Sequence, residues 1–255
     1  MRSSRCAGRN RGRIWTSCLG IVVAVPAIAQ IENNPGYDRP GLGFTPAVLQ
    51  PGDVMWEQGL PDWSRADGVS FFTADTLLRL GLGLGHALEL QLGTGWSWLD
   101  APGPDSDGRS GTSLALKFAP AAAGDLSWGL LAGIELTDGD RAFRNDQEQY
   151  LLGAALSWQH SADRALGLYL EAVRGDTDGE LLAINDGWAL TSALGAYVEL
   201  ALQHVAGVGH GSMAGAGVTW QATPRTQLDI GARHRLGGHA DTWQGGVGFA
   251  VYFGD

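Results

Sequence analysis

The sequence predicts an all-β protein, a single antiparallel transmembrane β-barrel of twelve strands with short periplasmic turns and longer extracellular loops. Three observations carry that expectation. Apolar and polar side chains alternate with period two along most of the chain, most clearly from Ala216 to Phe253. Strict alternation is a strand signature, because successive side chains leave a strand on opposite faces. The connections between alternating stretches are by turns tight and looser, the looser ones richer in Asp and Gly, as in outer-membrane barrels. Finally, Trp56, Trp96, Trp98, Trp128, Trp158, Trp188, Trp220 and Trp243 all fall on the apolar face of their strands, most near a strand end, with Trp56 the exception. Indole rings prefer the headgroup level of a membrane, whereas a soluble core would gather them mid-strand.

Residues 1–29 read as a cleaved signal peptide: Arg2, Arg5, Arg9, Arg11 and Arg13 without an acid, an apolar run from Leu19 to Ile28, and Ala27-Ile28-Ala29 as the cleavage site. That run is too short to span a bilayer, which takes about 20 apolar residues. Cys6 and Cys18 leave with it, so the mature chain has no thiol, no disulfide and no Cys-ligated metal. Without those five arginines, 12 basic residues face 27 acidic ones, a net charge of −15 in place of −10 for the whole sequence. That balance argues against nucleic acid and anionic substrates. Lys117 is the one lysine.

Residues 30–51 hold Pro35, Pro40, Pro46 and Pro51 and no sustained period, so they read as an irregular N-terminal arm. It is either a periplasmic tail or a partial plug, with Tyr37 and Phe44 able to pack on lumen residues such as Tyr169 and Tyr197. The barrel occupies 52–255. Its strands are expected at 52–60, 70–83, 86–98, 110–119, 126–137, 147–159, 165–173, 180–189, 194–204, 212–221, 226–236 and 242–253. Tight turns fall at Gly85-His86, Ala121 to Asp125, His160 to Arg164, Leu190 to Ala193 and Ala222 to Arg225. The looser connections are 61–69, 99–109, 138–146, 174–179, 205–211 and 237–241. Leu190 to His204 is rich in Ala and Leu and open to a helix. The alternation of Ala196, Val198, Leu200 and Leu202 against Gly195, Tyr197, Glu199 and Gln203 favours a strand.

The polar face, turned to the lumen, carries one acid on each up-going strand: Glu57, Glu89, Glu135, Glu171, Glu199 and Asp229. Asp75 on the second strand, Arg79, Lys117 and Arg233 face in as well. A salt-bridged wall and a path favouring cations or neutral solutes are both open readings of that set. The membrane-interface aromatics are Trp96, Trp98, Trp128, Trp158, Trp188, Trp220 and Trp243.

Other constellations fall short of a site. His234 lacks an outward Ser beside it, Ser212 sitting at a loop edge, so a lipid hydrolase is not assembled. His204 and His210, six apart across one loop, make a weak zinc signal. Asp105-x-Asp107, Asp138-x-Asp140 and the Asp176 to Glu180 run lack a full calcium-loop spacing. Gly81-x-Gly83-x-Gly85 precedes a strand, not a helix, and is no dinucleotide fingerprint. No catalytic residue, metal ligand or cofactor is expected.

DRPG at Asp38 to Gly41, TPAVLQPGDVMWEQG from Thr45 to Gly59, and the C-terminal hairpins around TPRTQLD resemble the outer-membrane transporter family associated with the meta-pathway of phenol degradation. The resemblance implies an outer-membrane barrel of a Gram-negative bacterium that passes aromatic or other hydrophobic solutes; it supplies no ligand residue to carry over. The chain departs from the usual terminal aromatic, Gly254-Asp255 following Phe253. The expected function is passive passage of small, hydrophobic or aromatic solutes. A closed structural or adhesive barrel is the alternative, and an outer-membrane lipid-modifying enzyme comes third. Expected partners are outer-membrane lipid, lipopolysaccharide, the solute and the barrel-assembly machinery, with no nucleic acid. A cysteine placed at Asp105 in intact cells is expected to react with an impermeant thiol reagent and one at Pro224 not to; the reverse result would invert the barrel.

Overall fold

Alternation this long, on a chain with no helix-period stretch, leaves the backbone one way to satisfy its hydrogen bonds in an apolar medium: a sheet closed on itself. The computed structural model describes residues 34–66, 68–83, 87–101 and 106–254. The expected signal peptide, the expected Gly85-His86 turn and Asp105 lie outside the described residues. Thirteen strands follow in order: β1 (Val54–Ala66), β2 (Val69–Leu82), β3 (Leu88–Asp100), β4 (Ser106–Arg109), β5 (Ser113–Phe118), β6 (Leu126–Glu135), β7 (Gln149–Ser161), β8 (Arg164–Arg174), β9 (Gly179–Ala189), β10 (Leu194–Val205), β11 (Gly209–Thr223), β12 (Thr226–Gly238) and β13 (Trp243–Phe253). β4 and β5 both pair with β3, from Trp96↔Arg109 and from Gly93↔Ser113, so they are two halves of one stave. Every pairing is antiparallel. β1 pairs with β13 from Val54↔Phe253 to Arg65↔Trp243, closing a twelve-stave barrel. The ambiguous stretch after Leu190 is strand β10.

Three expectations about connections are corrected. The loop expected at 61–69 does not exist: β1 runs on to Ala66 and β2 begins at Val69. Pro61 misleads the sequence reading, because it cannot donate a ladder hydrogen bond. The strand absorbs it in a bulge, and the register shifts between Gly59 and Asp62. The bulge also resets the phase, so Asp62 turns inward and Trp63 lies over the outward Gly245. The longer β1 places Trp56 at its third residue, no longer mid-strand. Likewise the loop expected at 205–211 shrinks to 206–208, and β4 lies inside the one expected at 99–109. The long excursion at the loop end is 136–148.

The barrel is inverted relative to a soluble protein. Its outer face exposes Leu78, Leu92, Leu114, Leu130, Leu200 and Ile230, with Leu152 at 67%. The buried face carries charge and small residues. A continuous exposed apolar surface of this kind marks a membrane-facing wall. Rings border it at both ends. Trp56, Trp128, Trp158, Trp188 and Trp220 lie toward the tight-turn end, and Trp63, Trp96, Trp98 and Trp243 toward the loop end. Several are braced by ring contacts: Trp56 with Phe249 at 5.0 Å, Trp128 with Phe118 at 5.7 Å, and Trp98 stacked on Phe72 at 5.5 Å. The Arg164 guanidinium lies 5.2 Å from the Trp188 ring.

Adjacent residues on β5 test the faces. Leu114→Arg is expected to destabilise the barrel by roughly 2–4 kcal/mol, the cost of a basic side chain near the bilayer midplane. Ser113→Arg, turned inward and paired in register with Glu135, is expected to cost far less. Urea unfolding in lipid vesicles would measure both; equal losses would show the faces misassigned.

Candidate functional site in the lumen

The arm runs inside the barrel. Tyr37, Phe44, Val48 and Leu49 are buried, and their partners come from the inward faces of the staves. Tyr37 and Leu49 cluster with Met55, Ala250 and Tyr252 near the tight-turn end. Phe44 meets Tyr169 edge-on at 5.7 Å and lies 3.2 Å from where side chains would start on Gly129 and Gly153. A Cβ on Gly81 would meet the Gln50 carbonyl oxygen at 1.9 Å, so the arm's backbone lies directly on that glycine. Gly52 donates to the Gly81 carbonyl at 3.0 Å and Gly81 to that of Asp53 at 3.0 Å, knitting the arm into the base of β2. Gly81, Gly129, Gly153 and Gly248 are thus seats for the arm.

Asp38 and Arg39 stand at the centre. The Asp38 carboxylate accepts from Lys117 Nζ at 2.9 and 3.0 Å, from Gln91 Nε2 at 3.0 Å and from the Thr45 amide at 2.8 Å. Arg79 lies 3.5 Å away. Arg79 and Lys117 are fully buried, and so are Glu57 and Glu89, which bind Arg79 at 2.8 Å each. Arg39 turns the other way and forks onto Asp62 at 2.6 and 2.8 Å, with Asp229 at 3.3–3.4 Å. Glu57 also receives the amides of Asp38 and Arg39 at 2.9 and 2.8 Å. Buried charge at this depth persists only when paired and hydrogen-bonded, and each of these ions is.

Above this cluster lies open space. A cavity of about 460 Å³ abuts Asp38 to Gly41 and reaches Asp62, Asp75 and Arg233. A neighbouring one of about 400 Å³ shares Phe71, Thr73, Asp75 and Leu77 with it and adds Ser97, Ser110, Glu135 and Phe143. Phe143, from the 136–148 excursion, faces Phe71 at 6.3 Å. That excursion is pinned at its base: Asp138 accepts from the amide and hydroxyl of Thr112 at 2.8 Å each, which hold its carboxyl down at about 2. Asp140 accepts from the Arg109 amide at 2.7 Å.

The ten charged residues singled out in the sequence therefore fall into three sets. Glu57, Arg79, Glu89, Lys117, Glu199, Asp229 and Arg233 join the cluster around the arm, with Arg233 on Glu199 at 2.6 Å. Asp75 and Glu135 line the open cavities, and Glu171 accepts from the Tyr169 hydroxyl. Asp38, Arg39 and Asp62 were missed. The arm's own charges had no strand phase to read, and Asp62 sat in the loop that proved to be β1. Of the rejected constellations, His204 and His210 do meet, ring centres 4.3 Å apart across β10 and β11. Even so, among the described residues no group of three or more possible metal ligands forms. His234 packs on Trp243 at 4.4 Å and pairs in register with Ala214.

Fold and lumen together define a closed twelve-stave barrel of the outer-membrane type. No family model matches the sequence, and no curated protein matches it. Among solved structures it is similar to an outer membrane channel from Pseudomonas putida F1, with a TM-score of 0.62 at 13% identity, covering 84% of this chain and 99% of that one. The KdgM porin gives 0.54 at 11% identity, covering 79% and 99%. The NanC porin gives 0.51 at 10%, covering 80% and 99%. At such identities the likeness is one of fold.

Arg79 tests the cluster. Arg79→Met leaves Glu57 and Glu89 without their shared guanidinium, and breaking a buried pair in this way costs roughly 3–5 kcal/mol. The triple change of Arg79, Glu57 and Glu89 to apolar residues of similar size is expected to recover only part of that loss, as read by urea unfolding in lipid, since it also takes Glu57 from the Asp38 and Arg39 amides and Glu89 from Lys117.

Proposed function

We propose that this chain is a passive channel of the outer membrane for small solutes, throttled by its own N-terminal arm. One observation carries the reading: residues 37–49 fill the lumen near the tight-turn end while the loop end stays open as two adjoining cavities. Its structural neighbours include an outer membrane channel and the KdgM and NanC porins. Asp38, Glu57, Asp62, Asp75 and Glu135 line the cavities against Arg39 and Arg233, which supports passage of cations and neutral solutes over anions. A second reading narrows the solute to small aromatics. The Phe71 and Phe143 rings beside Leu77 favour it, as does the resemblance to the phenol meta-pathway family.

Removing residues 34–49 is expected to raise single-channel conductance in planar bilayers several-fold while the barrel's circular dichroism stays unchanged. The reversal potential in a KCl gradient is expected to show cation preference. A folded barrel whose conductance does not rise would overturn the throttle and favour a closed structural barrel. Competition of phenol with the residual current separates the aromatic reading, which fails if phenol and glycerol act alike.

A further inference from the structure

The arm's Asp38-Arg39 step is held as a ligand is held. Both side chains, both amide N–H groups and the Arg39 carbonyl of this dipeptide are taken up by the barrel or by the arm's own Thr45. Lys117, Gln91 and Arg79 gather on the carboxylate, with the lysine at 2.9 Å. Asp62 and Asp229 take the guanidinium, at 2.6 and 3.3 Å. The two oxygens of Glu57 take the two successive peptide N–H groups, one each. Gln227 Nε2 lies 3.3 Å from the Arg39 carbonyl oxygen, to which it donates.

Anchoring alone does not call for this. Apolar packing holds an arm at lower desolvation cost, and buried ion pairs replaced by matched apolar groups are often neutral or stabilising. What buried, fully satisfied charges supply is discrimination between ligands, since a site built for hydrogen bonds rejects molecules that leave its groups unpaired. The geometry also leaves an entry. Arg39 and Asp62 border the open cavity with side chains 15% and 34% exposed, whereas the Lys117 pole beyond them is closed. Arg39 is the more exposed pole: its fork onto Asp62 is short, at 2.6 and 2.8 Å, and its reach to Asp229 is longer, at 3.3–3.4 Å.

We propose that the lumen centre is a recognition site for short peptides and amino-acid derivatives that carry a carboxylate and, one residue on, a guanidinium, and that Asp38-Arg39 occupies it as a tethered mimic. A solute from the loop end meets the acidic pole first, displaces Arg39 from Asp62 and Asp229, and then delivers its carboxylate to Lys117. The arm competes as an intramolecular ligand at an effective concentration on the order of millimolar, so the unmodified protein responds to solute only near that range. The conductance part of this inference rests on the throttled channel proposed above; the binding part does not.

The test uses the full chain with Asp38→Ala and Arg39→Ala together, and the near-isosteric Asp38→Asn with Arg39→Gln should the first pair fail to fold. The probe is the acetylated, amidated dipeptide Asp-Arg, with Arg-Asp as the control of identical charge and composition. Calorimetry is expected to show Asp-Arg binding at least tenfold tighter than Arg-Asp. The single Asp38→Ala variant is expected to regain the closed conductance in acetate and not in chloride at equal ionic strength. The Arg39→Ala variant is expected to regain it in guanidinium and not in sodium. Equal binding of the two dipeptides, or none of either, overturns the site. Variants whose conductance never changes overturn the throttle alone, and the calorimetric comparison still decides the site.

Discussion

Charge inside an apolar wall has to be neutralised within the wall, and that constraint organises this molecule. Arg79, Lys117, Glu57 and Glu89 are sealed from water, at a depth where an unpaired ion costs several kcal/mol. None of the four is paired with one partner only. Arg79 bridges both glutamates, and Lys117 lies 3.3 Å from Glu89 while reaching Asp38 on the arm. The set therefore holds β1, β2, β3 and β5 and the arm in one arrangement, and moving any member strands another.

The rest of the interior follows from the same arrangement. With the arm occupying the tight-turn half, staves there carry glycine where the arm's side chains must sit, as at Gly129, Gly153 and Gly248. Where the arm ends, the lumen opens and its lining changes to acids, hydroxyls and the Phe71–Phe143 pair. The outer face answers a different demand, that of lipid, and changes little around the circumference. Similarity to channel and porin barrels at 10–13% identity is a likeness of fold.

Most of the barrel was legible because membrane staves obey one rule along their whole length. Period-two alternation located β2, β3, β6 to β10, β12 and β13 to within a few residues. It failed where a local feature broke phase. Pro61 ended the reading of β1 early, hiding Asp62. Gly and Asp at 205–211 and 99–109 read as loop where the sheet continues, since acidic and glycine-rich strand ends look alike in sequence. The charged lumen residues were legible by phase, but which of them meet was not, because neighbours in a barrel wall are set by register and by an arm that has no period.

Arg39 has a place in the topology as well as in the lumen. Its two carboxylate partners lie on β1 and β12, and its guanidinium crosses the inward surface of Gly248 on β13. It thus straddles the seam where the first strand must find the last. Closing that seam joins residues about 200 apart in the chain, and loop closure of this kind pays its entropy before any pairing repays it. Through Asp62 and Asp229 the Arg39 cation adds a side-chain tie across that same closure. The segment inside the lumen is thereby also a clasp on the wall: the arm lies enclosed behind the seam that completes the barrel.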